Sequence, residues 1–282
     1  MERNATRRGG IRQRGLRLTR ALAVFALGGA TIGGASACGA PAGMVRVAAV
    51  DERLDLTLDD GRIVRLAGLD GSIYANPATQ EAAQALLNAR LIDRDAELDV
   101  LAGPDRWGRI PGDLSPAKSA VEPAGSAAEA LLAAGLARVR PEFEARSCAL
   151  MRLALENAAR DRLLGIWAEI ERAIIPSSNL AALKRLDGHF AVIEGAVRRV
   201  GLGRSRIYLD LVPRGGPTLV VPRKLEPALA RAGVVVSGLK GRDVRARGVI
   251  DGRFGLRLEI GDPAMIELAL QPKRAGEAEA GQ

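Results

Sequence analysis

Residues 63–70 read IVRLAGLD, an alternating stretch of apolar and polar residues that ends at an aspartate in a predicted turn. Such alternation is typical of a half-buried β-strand. The pattern also occurs upstream in MVRVAAV (44–50) and LDLTL (54–58), and an Asp-Gly pair before the quoted stretch is typical of a hairpin turn. We therefore predict three consecutive strands, the last of them over residues 63–69.

Beyond the quoted stretch, helical and strand patterns alternate. Residues 78–91 place apolar side chains on one face of a helix, and AELDVL (96–101) alternates as a strand. Residues 110–127 are rich in proline and glycine, which predicts a loop. Two further helices are predicted over residues 128–136 and 147–167, the second with a mixture of core and solvated positions.

A second strand-rich unit begins at Phe190. The order of three strands, one helix and two strands is that of an OB-fold barrel. We therefore predict a mainly β protein with helices, whose second unit is a five-stranded OB-like barrel. The predicted segments are the strands FAVIEGAV (190–197), IYLDLV (207–212) and TLVV (218–221), a helix over 224–231, and the strands DVRARGVI (243–250) and FGLRLEI (254–260).

The first 37 residues have the pattern of an export signal. Residues 1–20 hold seven arginines and one acid, and residues 21–37 are uncharged and end in small residues. We predict a secretory signal peptide over 1–37, with an uncleaved anchor as the alternative, and a periplasmic or secreted protein. Removing this segment from 41 basic and 33 acidic residues leaves 34 and 32, a net charge of +2. The overall charge of +8 is therefore no indication of nucleic-acid binding.

The chain contains two cysteines, Cys38 and Cys148, and a single histidine, so no Cys/His metal cluster is expected. Export permits a disulfide. However, Cys38 directly follows Ala-Ser-Ala, which is similar to a bacterial lipoprotein cleavage site, so a lipid on Cys38 is an alternative and would provide the only membrane contact. Cys148 lies in an apolar helical stretch, and we favour a small buried hydrophobic side chain there.

Five motifs in a fixed order together resemble the thermonuclease (staphylococcal nuclease-like) family over residues 44–169. The resemblance implies an OB-type barrel of five strands with three helices, and a calcium-dependent nuclease activity. The motifs are VRLAGLD (64–70), TQEAAQALL (79–87), DRWGR (105–109), EALLAAGLARV (129–139) and LENAARDRLLGIW (155–167).

The resemblance also implies a catalytic site. Arg65 and Arg109 match the two arginines of the family that bind phosphate, and arginine forks suit the charge of a phosphoryl transition state. Asp70 matches a calcium ligand, and Asp51 or Asp55 would supply the second carboxylate, because a hard cation takes oxygen ligands. The glutamate of the family, which activates water, has no counterpart among these residues.

Three departures from the family pattern predict an impaired site. The position of the general base is Ile73, which can neither accept a proton nor orient water. The calcium turn is one residue longer and contains Arg53, a cation close to the expected metal. Pro111 removes a donor from the strand that should follow DRWGR, which predicts a shortened or displaced strand.

The second unit resembles the OB-like C-terminal extension of some exported bacterial thermonuclease-family proteins. OB-folds bind single strands through a basic groove with aromatic rings. The candidate contacts to single-stranded DNA or RNA are Arg198, Arg199, Arg204, Arg206 and Tyr208, with further arginines at 242, 245 and 247 on a later strand. The alternative is a solvated basic face without a ligand.

Three hypotheses for function follow. The first is a catalytically degenerate thermonuclease-like protein that acts as a nucleic-acid-binding or structural module in the bacterial envelope. The second is an active calcium-dependent phosphodiesterase with a rearranged site. The third is a module that binds an unknown envelope protein, which the net charge of −5 (15 basic, 20 acidic residues) over 38–169 and of +5 (14 and 9) over 186–270 permits. The predicted organisation is a signal peptide (1–37), a thermonuclease-like domain (44–169), a connector (170–186), an OB-like domain (187–270) and a disordered tail (271–282).

Overall fold

The computed structural model describes five segments of the chain, residues 38–117, 125–142, 146–169, 173–213 and 215–269. The predicted signal peptide and the predicted disordered tail lie outside these segments. Among the helices within the five segments, none combines the length and the apolar character that a bilayer crossing requires.

Five strands form a closed barrel in the first part of the chain, with the order β1-β2-β3-β5-β4. They are β1 (Ala40–Val50), β2 (Asp55–Leu58), β3 (Ile63–Leu66), β4 (Asp95–Val100) and β5 (Ile110–Pro116). Strands β3 and β5 pair in parallel, whereas the other neighbours are antiparallel, and β1 closes the barrel against β4. The predicted mainly β fold with a closed five-stranded barrel is confirmed.

Strand β5 shows that the loop predicted over residues 110–127 was wrong at its start. Pro111 lies in β5, where its carbonyl oxygen accepts the Leu101 N–H at 2.9 Å. The N–H and C=O groups of a strand residue point to the same side, so the N–H that Pro111 lacks would also point toward β4. The pairing of β4 with β5 ends at Val100 and Gly112, next to this position, so the missing donor interrupts no pair of the ladder. Gly112 has no Cβ, and this permits the close approach of β4, since a Cβ there would lie 2.9 Å from the Asp99 carbonyl oxygen.

Among the described residues, the helices that pack against this barrel are α1 (Pro77–Leu91), α2 (Ala127–Ala133) and α3 (Arg146–Asp161). Helix α2 begins with a capping box in which Ser126 and Glu129 satisfy each other's backbone N–H groups. The helix predicted over 147–167 ends early, because the backbone turns to positive φ at Leu163 and Gly165 before a 3₁₀ helix (Gly165–Glu169).

The second unit contains an eight-stranded sheet with the path β6-β7-β11-β12-β10-β9-β8, while β13 pairs with β11. Only Val197 and Arg198 separate β7 from β8, so these two strands are the halves of one interrupted strand. The strand order given above therefore leads from one half of this strand to the other. This division, together with β6 and β13, accounts for eight strands where five were predicted. The strands are β6 (Ile175–Pro176), β7 (Phe190–Ala196), β8 (Arg199–Leu202), β9 (Arg206–Asp210), β10 (Thr218–Pro222), β11 (Asp243–Asp251), β12 (Arg257–Glu259) and β13 (Ile266–Leu268).

In the part of the second unit that the structure describes, two short α-helices accompany this sheet. Helix α4 (Leu180–Arg185) precedes β7, and α5 (Glu226–Arg231) lies between β10 and β11, close to the helix predicted over 224–231. Each unit has its own buried apolar core. A third cluster around Trp167 joins the end of α3 to β7 through Phe190. Burial of these side chains is the main favourable contribution to the folded state.

Cys38 and Cys148 form a disulfide that joins the segment before β1 to helix α3. Cys148 is buried, as the apolar pattern predicted, but the prediction that it serves only as a small hydrophobic side chain was wrong. The partner lies 110 residues away in sequence, so the local pattern around Cys148 carries no sign of it.

Candidate functional site

A pocket of about 430 Å³ brings the two predicted phosphate-binding arginines together. Arg65 lies on β3, and Arg109 immediately precedes β5. The parallel register that pairs Arg65 with Pro111 places both guanidinium groups at the same end of the barrel. Arg53 and Arg140 also line this pocket, which is called the arginine pocket below.

Carboxylates of the protein itself bind the two central arginines. Glu142 accepts a hydrogen bond from Arg65 Nη1 at 2.9 Å, and Asp55 accepts one from Arg109 Nη1 at 2.9 Å. Asp105 accepts a further bond from Arg109 Nε at 3.0 Å. Burial alone lowers the pKa of the Arg109 guanidinium, but the hydrogen bonds with Asp55 and Asp105 outweigh this effect and raise it.

Glu142 is a residue of this pocket that the sequence did not indicate. It follows Pro141 in the segment between α2 and α3, outside every motif of the thermonuclease-like set. Its partner Arg65 lies 77 residues earlier in the chain. No periodicity or spacing in the sequence connects the two residues, so only the fold reveals the pair.

Asp70, the predicted calcium ligand, is fully buried and bound by protein donors. One oxygen accepts the backbone N–H of Ser72 at 3.0 Å and its hydroxyl at 2.7 Å. The other accepts from Arg138 Nε at 3.0 Å and from its Nη2. Asp70 thus caps the 3₁₀ helix Gly71–Ala75 and forms a buried ion pair.

The other two predicted calcium ligands are also engaged. One Asp51 oxygen accepts the backbone N–H groups of Arg53 and Asp55, both at 2.8 Å, which fixes the turn between β1 and β2. Asp55 itself binds Arg109. Among the residues that the structure describes, no three His, Cys, Asp or Glu side chains are grouped so that they could hold a metal ion. The residues present therefore do not fit the calcium ion that the resemblance implies.

Ile73 lies in the 3₁₀ helix after Asp70, and its carbonyl oxygen accepts the Asn76 N–H at 3.2 Å. Gly71 and Ala75 of this 3₁₀ helix line the arginine pocket. Trp107, in the turn before Arg109, is 62% exposed, and the Arg106 and Arg109 guanidinium carbons lie 3.8 Å and 4.9 Å from the centroid of its ring. This ring is thus held by cations at the surface and not in the core.

A larger pocket of about 660 Å³ lies on the second sheet and is called the sheet pocket below. Three predicted nucleic-acid contacts line it, namely Arg198, Arg199 and Tyr208. The loop between β11 and β12 adds Phe254, which is 74% exposed, and β12 adds Arg257, whose guanidinium carbon lies 5.7 Å from the centroid of the Phe254 ring. Arg199 also donates to Asp210 at 2.6 Å.

The remaining predicted contacts lie elsewhere. Arg204 and Arg206 are exposed at the turn of the β8–β9 hairpin, at the opposite end from Arg199, and do not line the sheet pocket. Arg206 lies 4.0 Å from Glu259, a weak surface pair. The sheet pocket therefore brings together only some of the predicted nucleic-acid-binding residues, and it contains Arg257, which was not predicted.

Two arginines of β11, Arg245 and Arg247, were predicted to contribute to a basic surface but are buried. Arg247 is 0% exposed, and its Nη1 donates to both Glu156 oxygens at 2.8 Å and to the Val139 carbonyl oxygen at 3.2 Å. Its Nη2 donates to Glu267 at 2.8 Å. Arg245 donates to Glu194 at 2.6 and 2.9 Å. Arg247, Glu156 and Glu267 form an ionic cluster that links β11 to α3, whereas Arg245 pairs with Glu194 on β7. Neither arginine is available to a nucleic acid.

The charges of this cluster shift each other's titration. Desolvation lowers the pKa of the Arg247 guanidinium, but Glu156 and Glu267 outweigh it and raise the pKa. Desolvation raises the pKa of the Glu267 carboxyl, but Arg247, Arg245 and Arg160 outweigh it and lower the pKa. Both groups are therefore held in their charged forms in the folded protein.

Comparisons with known proteins identify no family for this chain. No protein-family model matches the chain, and no curated protein matches it. A solved structure of the extended Tudor domain of Drosophila melanogaster Tudor-SN (p100) is similar over 38% of this chain and 47% of that chain, with 18% identity and a TM-score of 0.31. The chain thus matches about half the length of that structure. A match at this score carries no conclusion about function, and the fold assignment rests on the strand order described above.

Proposed function

We propose that the protein is an exported, non-catalytic module that binds single-stranded nucleic acid in the sheet pocket. The observation that carries this proposal is that Arg198, Arg199 and Arg257 line one pocket together with Tyr208 and Phe254. Guanidinium groups pair with backbone phosphates, and exposed aromatic rings stack on bases without regard to sequence. We also propose that both units are OB-type barrels, the second with its first strand divided into β7 and β8.

Several features of the arginine pocket support a non-catalytic role. Ile73 offers no group that could activate water. Asp51, Asp55 and Asp70 are engaged by backbone N–H groups or arginines, so no carboxylate of the resemblance is available to a metal ion. The loss of a positioned base alone lowers a rate by about 10²- to 10⁴-fold.

The chemistry of the sheet pocket favours a single strand over a duplex. A ring such as Phe254 reaches a base only when the base is unstacked, and each such stacking contact contributes about 1–3 kcal/mol. Three arginines that neutralise about three phosphates give a slope of about −2 for log K against log salt, at about −0.7 per phosphate of a single strand. Both the dependence on salt and the preference for single strands can be measured.

Export and an envelope role remain part of the proposal. Disulfides persist in oxidising compartments such as the periplasm, and the Cys38–Cys148 disulfide supports this location. A protein partner in the envelope is the alternative to nucleic acid, and the binding experiment distinguishes the two.

The test is fluorescence anisotropy with a labelled single-stranded DNA of mixed sequence, titrated with the purified protein at several salt concentrations. We expect the Arg198→Glu, Arg199→Glu double variant to bind more than tenfold more weakly, and Phe254→Ala to bind several-fold more weakly. The matched control is Lys184→Glu with Arg185→Glu on α4, which changes the same number of charges at exposed positions outside the pocket.

Equal loss in both double variants would show that binding depends only on total charge and would refute the sheet pocket as the site. Absence of binding would favour the protein-partner alternative. Digestion of the DNA in the presence of calcium, abolished by Arg109→Ala, would refute the non-catalytic proposal in favour of the rearranged phosphodiesterase.

A further inference from the structure

The arginine pocket contains more arginines than its carboxylates bind by close hydrogen bonds. Four arginines line it, against the acids Glu52, Asp55 and Glu142. Arg65 and Arg109 are held by Glu142 and Asp55, whereas Arg140 lies 3.8 Å from Glu142, at the limit of an ion pair. In the segments that the structure describes, no carboxylate pairs with the exposed side chain of Arg53.

The backbone around Arg53 is fixed rather than loose. Its N–H donates to Asp51 at 2.8 Å, and the next residue, Leu54, adopts a positive φ of 62° and is buried in the barrel core. The longer turn between β1 and β2 therefore places Arg53 among the residues that line the pocket, together with Asp55 and Arg109. A permanent positive charge thus belongs to the turn that the resemblance assigns to the calcium ion.

We propose that Arg53 takes the place of a metal ion in the arginine pocket, which binds a phosphate group without any divalent cation. The volume of about 430 Å³ is within the range of small-ligand sites. Guanidinium forks are matched to the oxygens of phosphate and remain charged at every physiological pH. The inference concerns a different pocket from the proposed nucleic-acid site, so each can fail without the other.

Glu142 acts in this proposal as the internal competitor of the ligand. Its carboxylate lies 2.9 Å from Arg65, where a phosphate oxygen would bind. Glu142 also lines a neighbouring pocket of about 360 Å³ together with Arg140 and Phe190. A phosphate group that enters the arginine pocket therefore displaces Glu142 from Arg65, and the neighbouring pocket gives the displaced side chain room.

The experiment is isothermal titration calorimetry with inorganic phosphate and, separately, with a 5′-phosphorylated trinucleotide. The trinucleotide is titrated against protein that carries Arg198→Glu and Arg199→Glu, so that the sheet pocket does not contribute. Each titration is made in EDTA and repeated with calcium. We expect binding in EDTA that calcium does not strengthen.

The variants test the roles of the two residues. Arg53→Ala should weaken binding about tenfold, and Glu142→Gln should strengthen it about tenfold because the competing charge is removed. Arg62→Ala is the matched control, an exposed arginine on the neighbouring hairpin whose guanidinium pairs with Asp60, and it should leave the affinity unchanged. Thermal melting checks that each variant folds.

Binding of inorganic phosphate that depends on Arg53 supports a site for a free phosphate group, and binding of the trinucleotide alone supports a phosphate carried on a nucleic-acid chain. The proposal is overturned if binding requires calcium, if Arg53→Ala and Arg62→Ala behave alike, or if neither ligand binds.

Discussion

Replacing Arg247 by methionine tests whether the ionic cluster between β11 and α3 holds the two units together. The guanidinium group makes four hydrogen bonds, to both oxygens of Glu156, to the Val139 carbonyl oxygen and to Glu267. Methionine keeps much of the side-chain volume but removes every donor. Glu156, which is 0% exposed, then keeps the Val139 N–H as a hydrogen-bond donor and the Arg160 guanidinium, whose Nη1 lies 3.9 Å from Glu156 Oε1, as a longer ion-pair partner.

The expected magnitude follows from this burial. Removing one partner of a buried ion pair costs about 3–5 kcal/mol, because the other charge stays desolvated. The lower end of this range applies here, since Arg160 remains 3.9 Å from Glu156. We expect a loss of that size in the free energy of unfolding, measured by urea denaturation with tryptophan fluorescence as the signal. Trp167 is a suitable reporter since it is buried in the cluster that joins α3 to β7.

The control is Arg253→Met, which removes a surface arginine that is 79% exposed and pairs with Asp251 at 3.0 Å. It should leave the free energy of unfolding almost unchanged, because an exposed ion pair is screened by solvent. A double variant with Glu156→Met as well as Arg247→Met should recover part of the lost stability. A loss below about 1 kcal/mol for Arg247→Met alone would refute the claim that this cluster joins the units.

Three further predictions concern stability. The pKa of the Glu267 carboxyl is lowered because Arg247 and two further arginines outweigh desolvation. The contribution of Glu267 to stability is therefore present above the ordinary pKa of 4.5 and is lost as the pH falls through the pKa of the folded state. Melting temperatures measured from pH 6 to pH 3 should fall less steeply in Glu267→Gln than in the wild type. Gly135→Ala should destabilise the protein by more than about 1 kcal/mol in urea denaturation, since φ is +69° and a Cβ would lie 2.2 Å from the Leu164 carbonyl oxygen; an unchanged midpoint would contradict this geometry. Cys148→Ser should cost about 2–5 kcal/mol and should make calorimetric melting insensitive to reductant, whereas wild-type melting that ignores reductant would argue against the disulfide.

The sequence predicted those parts of the fold in which local pattern and tertiary structure agree. Alternation located β2, β3 and β4 to within a few residues, because one face of each strand is buried in the barrel. Strand β5 was missed because its seven residues include two prolines and a glycine and do not alternate between buried and exposed positions. Pro111 is nevertheless tolerated, because it lacks only a donor at the point where the pairing with β4 ends. The split of the first strand in the second unit left no clear signal either.

The candidate sites were predictable only where a motif fixed the position. The motif resemblance placed Arg65 and Arg109 in one pocket, but it could not show that Glu142 and Asp55 bind them. Similarly, the alternating arginines of β11 have the pattern of a solvated strand, and their burial depends on Glu156, which lies 91 residues before Arg247. Charge pairing across such distances has no local signature in a single sequence.

The Cys38–Cys148 bond has a consequence for how the molecule is delivered. On the proposed export route, the Cys38 sulfur that forms this disulfide is also the atom to which the alternative lipid would be joined. A sulfur atom can carry only one of these bonds, so the disulfide and the lipid exclude each other. A lipid-bearing chain would therefore lack the covalent link between the segment before β1 and helix α3.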